Sequence, residues 1–221
     1  MQHSRRWKGV VFDFDGVLLD SQSVGCQRFV EIARSLDLPV SDDTIGRVKK
    51  IWGAPGAVLV KGCWPDACTD TFMHQWEKFD GTHPIPLFSG IQEMIYTLSA
   101  TRVLTVLTSR GWSTHFQLSH HGIDSFFAFV CTLDDSPMPK PHPRSIEPLL
   151  DFYGNLHDAS LFDLVLVGDS VDSDYGLAQV TGIDFVAASW GNNSREDFLA
   201  AGLPPEYIAD SMEHLLKMLT Q

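Results

Sequence analysis

The run Leu164-Val165-Leu166-Val167 is apolar at every position and then stops at Gly168-Asp169. A strand with one wet face would alternate. An unbroken apolar strand is covered on both faces, as in parallel sheets flanked by helices. The same design recurs in Val103-Leu104-Thr105-Val106-Leu107, which ends in Thr108-Ser109-Arg110-Gly111, and in Gly9 to Phe12, which ends in Asp13-Phe14-Asp15-Gly16. Residues 126–132 and 184–188 read as further strands. Helical patterns separate them over 89–100, 113–121, 144–153 and 175–181, and two more close the chain over 194–201 and 211–219. Pro148 would sit inside the third of these helices or force it to start late. Strands alternating with helices predict an α/β fold, a Rossmann-like doubly wound parallel sheet.

One stretch breaks the alternation. Between residues 22 and 86 there are helical patterns and breakers but no strand. Val24, Phe29, Val30, Ile32, Ala33 and Leu36 fall on one apolar stripe over 23–37. Ser41 is an N-cap candidate for a second helix running toward Trp52, and Gly53-Ala54-Pro55-Gly56 ends it. Short helical patterns follow over 57–61 and 66–79, and Pro84 and Pro86 close the region. The expected organisation is an α/β core from 1–21 and 87–221, with a small all-helical domain, 22–86, inserted after the first strand.

Bulk properties narrow the function. A chain of 221 residues with 44% hydrophobic and 20% charged residues is globular. Its formal charge of −12 argues against non-specific binding to nucleic acid or to an anionic membrane. Cys26, Cys63, Cys68 and Cys131 have neither zinc nor redox spacing, so they are expected to be reduced and mostly packed thiols of a cytoplasmic protein. The first eight residues lack the apolar core of a signal peptide, and no run reaches the ~18 apolar residues of a membrane span. The nine histidines show no metal spacing. There is no Gly-x-Gly-x-x-Gly after the first strand, so a dinucleotide site has no support.

In an open parallel sheet, ligands bind beyond the carboxyl ends of the strands. The polar residues at those places are Asp13 and Asp15, then Ser109, then Lys140 after the third strand, then Asp169 with Asp172 and Asp174. If the first strand stayed extended, Asp13 and Asp15 would project to the same side and repel unless a cation or shared proton compensated. Converging carboxylates suit Mg²⁺, a hard cation that takes oxygen ligands and a substrate phosphate. A serine hydroxyl and a lysine suit phosphate oxygens. A carboxylate beside such a metal can attack phosphorus, and a second can carry the proton.

These segments resemble the haloacid dehalogenase superfamily of phosphohydrolases. Phe12-Asp13-Phe14-Asp15-Gly16-Val17 is similar to its first motif, Leu107-Thr108-Ser109-Arg110 to the second, and Lys140-Pro141-His142-Pro143 to the third. Gly168-Asp169-Ser170 with Asp174 is similar to the fourth. The helical insertion resembles the family's small cap. The ending, with Ser189-Trp190-Gly191, Phe198-Leu199-Ala200-Ala201-Gly202 and Ala209-Asp210-Ser211, resembles the phosphoglycolate phosphatase-like branch.

The resemblance implies a Mg²⁺-dependent phosphatase acting on a small phosphorylated metabolite through an aspartyl phosphate. Asp13 would be the nucleophile and Asp15 the general acid/base, with Lys140 also catalytic. Ser109, Arg110 and Lys140 would bind phosphate. Asp13, the Asp15 backbone carbonyl, Asp169 and Asp174 would form the metal site, with Asp172 as runner-up to Asp174. An acid at Asp15 separates phosphoryl chemistry from true dehalogenation. Substrate choice is expected in the cap, with Arg47, Lys49, Trp52, Lys50, Lys61 and Trp64 as candidates. A phosphosugar mutase and a phosphate- or partner-binding module without turnover are the alternatives. The chain is expected to act as a monomer or homodimer.

Overall fold

The computed structural model describes residues 7–52, 56–80, 82–156 and 159–220. These form two compact units, one from residues up to Leu19 and from Leu87 onward, the other Asp20–Pro86.

The first unit is built on a six-stranded sheet, every pairing parallel. Its strands are β1 (Gly9–Phe12), β2 (Val103–Leu107), β3 (Phe127–Cys131), β4 (Leu164–Gly168), β5 (Asp184–Ala188) and β6 (Ile208–Ala209), in the spatial order β3-β2-β1-β4-β5-β6. The order reverses at β1, which pairs with β2 on one side and β4 on the other. That reversal opens a crevice at the carboxyl ends of β1 and β4. Register sets the two ends level: Phe12 pairs with Val167, and the Asp13 amide donates to the Val167 carbonyl at 2.8 Å.

The apolar runs are central because they are buried on both faces. Val10, Val11, Phe12 and Leu164 through Val167 have no exposed surface. β3 is different: Ala128 is exposed and Phe129 and Val130 are half-buried, as suits an edge strand. β6 has only two residues, too short for a periodic pattern, and was absent from the sequence reading. Pro148 is accommodated by a late start. A 3₁₀ turn, Pro143–Ile146, precedes the helix Glu147–Leu156, so the proline sits in its first turn, where a missing N–H costs little.

The second unit holds four helices, α1 (Ser21–Ser35), α2 (Asp42–Lys50), α3 (Gly56–Cys63) and α4 (Thr69–Asp80), and no strand among its described residues. Ser41 caps α2: its hydroxyl accepts from the Thr44 amide at 3.2 Å, and Thr44 answers in a capping box. Of the breaker Gly53-Ala54-Pro55-Gly56, positions 53–55 lie outside the described residues and Gly56 begins α3. Phe29 is the hub of the core, tilted on Phe72 at 4.5 Å and stacked on Trp64 at 5.8 Å. Burying aromatic rings on this scale supplies most of what holds so small a unit together.

Candidate active site

β1 ends at Phe12, so Asp13 and Asp15 do not share an extended strand. The chain turns tightly instead. Gly16 takes a left-handed φ of +76°, its amide donates to the Leu19 carbonyl at 2.9 Å, and the Leu18 amide donates to the Phe14 carbonyl at 2.9 Å. The condition for two side chains on one face, an extended strand through Asp15, is therefore not met. The turn sends them to different partners.

Asp13 goes inward and is 7% exposed. Its Oδ1 lies 2.8 Å from Lys140 Nζ. Lys140 comes from the connection after β3 and is almost fully buried. Its ammonium also donates to Asp174 Oδ1 at 2.6 Å and to the Leu107 carbonyl, the last residue of β2, at 3.1 Å. Three acceptors match the three N–H bonds of the ammonium. Lys140 thus ties together the carboxyl ends of β1 and β2 and the loop after β4.

Asp174 stands behind that lysine with no exposed surface. Its Oδ2 accepts the amides of Asp169 at 3.2 Å and Ser170 at 3.1 Å. A π-helical turn, Val171–Tyr175, brings it back over Gly168. A Cβ at Gly168 would lie 2.3 Å from the Asp174 Cβ, so only glycine ends β4 here. Asp172, on the same turn, is exposed. The structure brings Asp174 into the cluster and leaves Asp172 outside.

Asp169 completes the acidic group. Oxygens of Asp13, Asp169 and Asp174 all lie within 4.8 Å of one another. Two features hold Asp169, and neither was assigned from sequence. The Asn192 amide donates to its Oδ2 at 2.7 Å, and the Asn193 amide to its carbonyl at 3.0 Å. Gly16 and Gly191 leave the space that the carboxylate fills: a Cβ would come 1.8 Å and 2.4 Å from Oδ2. Glycine in Asp-x-Asp-Gly and in Ser-Trp-Gly is the sequence trace of this cradle.

Asp15 faces Arg110. The guanidinium grips both carboxylate oxygens, Nε to Oδ2 at 2.9 Å and Nη2 to Oδ1 at 2.6 Å. Arg110 had been expected on phosphate; here its fork is on Asp15. Ser109, the other expected phosphate ligand, is exposed on the same loop. Thr108, which the sequence reading passed over, is buried at the mouth of β2, and its hydroxyl accepts the Arg110 amide at 3.0 Å.

The electrostatics are those of an unbalanced site. Asp13, Asp15, Asp169 and Asp174 face Lys140 and Arg110, four carboxylates to two cations. Burial, then the neighbouring Asp174, pushes the Asp13 carboxyl up to about 7 although Lys140 pulls it down. Burial and the charges of Asp13 and Asp174 push Asp169 well above the carboxylate range. Burial works against the charge on Lys140, but Asp13 and Asp174 outweigh it and hold its pKa above the usual lysine value. A divalent cation with oxygen ligands would relieve that repulsion, and the donor set, all carboxylate oxygen, fits a hard ion such as Mg²⁺.

Residues 10–188 match the family of haloacid dehalogenase-like hydrolases. The chain belongs to that family. The hydrolase is 31% identical over 218 residues to pyrophosphatase PpaX of Bacillus cereus (strain Q1), covering 96% of this chain and 95% of that one. It is 24% identical over 235 residues to a phosphoglycolate phosphatase of Photobacterium profundum, covering 96% and 95%. Its fold is that of YfnB from Bacillus subtilis, crystallised bound to magnesium, with a TM-score of 0.77, 19% identity and coverage of 98% and 100%. With phosphatases among its full-length relatives, the enzyme class of this chain is phosphoric monoester hydrolase.

Proposed function

We propose that this hydrolase is a Mg²⁺-dependent phosphatase of small phosphorylated metabolites that works through an aspartyl phosphate on Asp13. The observation that carries the reading is the meeting of Asp13 with Lys140 at 2.8 Å inside the Asp13–Asp169–Asp174 group. Asp13, Asp169 and the Asp15 backbone carbonyl would hold the metal. Asp174, with both oxygens already bonded, would support the site from behind. When bound, Mg²⁺ supplies charge neutralisation for phosphate oxygens.

The chain's own residues do the rest. An Asp13 carboxylate oxygen attacks phosphorus, and the bond from phosphorus to the ester oxygen breaks. That oxygen keeps the electron pair and takes a proton from Asp15. Asp15 then removes a proton from water, whose oxygen attacks the phosphoryl group and releases Asp13 and inorganic phosphate. Lys140 stays charged and steadies the oxygens that gain charge. Ser109 and the Thr108 hydroxyl are the proposed phosphate contacts from the loop after β2; Arg110, paired with Asp15, is not one of them.

The helical unit Asp20–Pro86 is proposed as the family's cap and the seat of substrate choice. Its own packing sorts the candidates. Trp64 is 4% exposed, and its indole donates to the Pro39 carbonyl at 2.7 Å, so it is core. Lys61 donates to the carbonyls of Pro65 and Ala67, both at 2.9 Å, and closes the end of α3. Arg47 pairs with Asp43 at 3.1 Å on an exposed face, a contact of small energy. Lys49 and Lys50 are exposed and are the better candidates for a substrate anion. A cytoplasmic setting is part of the reading and is supported by four free thiols. No helix among the described residues is long and apolar enough to cross a membrane.

The test is turnover of purified protein on a panel of phosphomonoesters and inorganic pyrophosphate with Mg²⁺, beside Asp13→Asn. Release of phosphate by the parent and its loss in the variant is the expected result. Undiminished turnover in the variant would sink the mechanism.

A further inference from the structure

The pair between Arg110 and Asp15 poses a mechanical problem for the acid/base role assigned to Asp15. Both Asp15 oxygens are occupied by one planar fork, at 2.9 and 2.6 Å. A carboxylate clamped in this way is aimed at Arg110 and not at a substrate oxygen. The Arg110 side chain is only 9% exposed, so its charge is largely out of water. A desolvated guanidinium released from one carboxylate needs another anion to replace it.

The backbone does not offer a way out. The Arg110 amide donates to Thr108 Oγ1 at 3.0 Å, and its carbonyl accepts the Leu133 amide at 3.0 Å. The loop is pinned on both sides of the residue. With the backbone fixed, the guanidinium can change partner only by turning its own side chain, and Asp15, 34% exposed, is open to solvent. Nη1 already leans toward the Ser113 hydroxyl at 3.4 Å.

We propose that Arg110 is a latch and a selectivity residue. It holds Asp15 until an anionic group of the substrate other than the transferred phosphoryl, a carboxylate or a second phosphate, takes the guanidinium and frees the carboxylate. The proposal rests on the phosphatase reading above and assigns its substrate class: phosphomonoesters that carry a second negative group. A planar fork suits this exchange because carboxylate and phosphate both accept it in two-point geometry.

The experiment compares two esters that differ in that group, carboxymethyl phosphate and ethyl phosphate, with the Mg²⁺-loaded parent, Arg110→Gln and Arg110→Lys. The parent is expected to favour the carboxylate ester by about tenfold or more in kcat/KM, Arg110→Gln to fall below about threefold, and Arg110→Lys to lie between. Calorimetric binding of both esters to Asp13→Asn, with and without Arg110→Gln, reads the same ratio without turnover. An unchanged ratio in Arg110→Gln, a parent ratio near one, or binding of neither ester would overturn the latch. Failure of the phosphatase reading shows separately, as full turnover in Asp13→Asn whatever the ratio.

Discussion

Lys140 Nζ lies 2.6 Å from Asp174 Oδ1, and both side chains are almost wholly removed from water. The pair joins the connection after β3 to the turn after β4, and so fixes the lysine that meets Asp13. Removing one partner leaves a buried charge. Asp174→Ala is expected to destabilise the protein by about 3–5 kcal/mol and to cost activity as well, because Lys140 loses an anchor. Asp174→Asn keeps the shape and should cost less stability. Denaturant unfolding of both variants checks the order; equal stability of parent and Asp174→Ala would contradict it.

Asp13 makes metal-free stability depend on pH. Its folded pKa, up to about 7, stands above the ordinary 3.8. The folded state therefore holds the proton that the unfolded chain gives up first. Stability is then expected to fall as pH rises between about 4 and about 7, by at most about 4 kcal/mol from this group. Asp169 acts in the same direction. Lys140 stays charged across that window. Urea midpoints at about pH 5 and about pH 8, with a chelator and with Mg²⁺, measure the effect. A metal-free protein more stable at the higher pH would oppose the account, as would a slope that Mg²⁺ leaves unchanged.

The glycine cradle of Asp169 gives a sharper test of geometry. Gly191→Ala would place a methyl 2.4 Å from Asp169 Oδ2 and 2.5 Å from the Gly16 carbonyl oxygen. The carboxylate must move, so Mg²⁺ affinity is expected to drop by about 10- to 100-fold, the usual cost of displacing a ligand's support. Gly122→Ala, where a Cβ has open space, is the comparison: its φ of +64° strains the backbone but meets no side chain. Titration of Mg²⁺ by calorimetry should separate the two. Equal affinities would remove the cradle from the argument.

Trp64 was a candidate for substrate contact, and its burial argues for a different effect. Trp64→Ala should destabilise the helical unit by about 3–5 kcal/mol through the cavity it leaves beside Phe29 and Phe72. Hydrogen exchange on the full chain is the measurement. Amides of residues 20–86 should speed up far more than those of the sheet. Uniform protection, with a changed KM alone, would return Trp64 to the substrate.

The sheet was legible because its two innermost strands, β1 and β4, carry no polar side chain, a pattern that permits little else. What short range could not reveal was β6, whose two residues carry no period. The site was legible in its charged residues. Asp13 and Asp169 directly follow strands, and Lys140 and Asp174 lie on the connections after them, where a parallel sheet gathers its polar groups. Two things were not. Whether the chain stayed extended as far as Asp15 was left open; β1 ends at Phe12 and the chain turns at Gly16. Arg110 was given to phosphate, because its pairing with Asp15 joins residues 95 positions apart and leaves no local trace. Thr108 and Gly191 lie within the segments that carry the family resemblance, but their roles depend on burial and on close approach, which composition does not carry.

The central claim is that Asp13 carries the phosphoryl group. Slowing the second step should expose it. The Asp15→Asn variant loses the group that activates water, at about 10²–10⁴-fold in rate. Mixed with an aryl phosphate, whose leaving oxygen needs little help, and quenched in acid, it should accumulate one phosphoryl group per chain. Peptide mass spectrometry should place that group on Asp13. A phosphoryl group on any other residue, or rapid turnover with no trapped species and full activity in Asp13→Asn, would contradict the account.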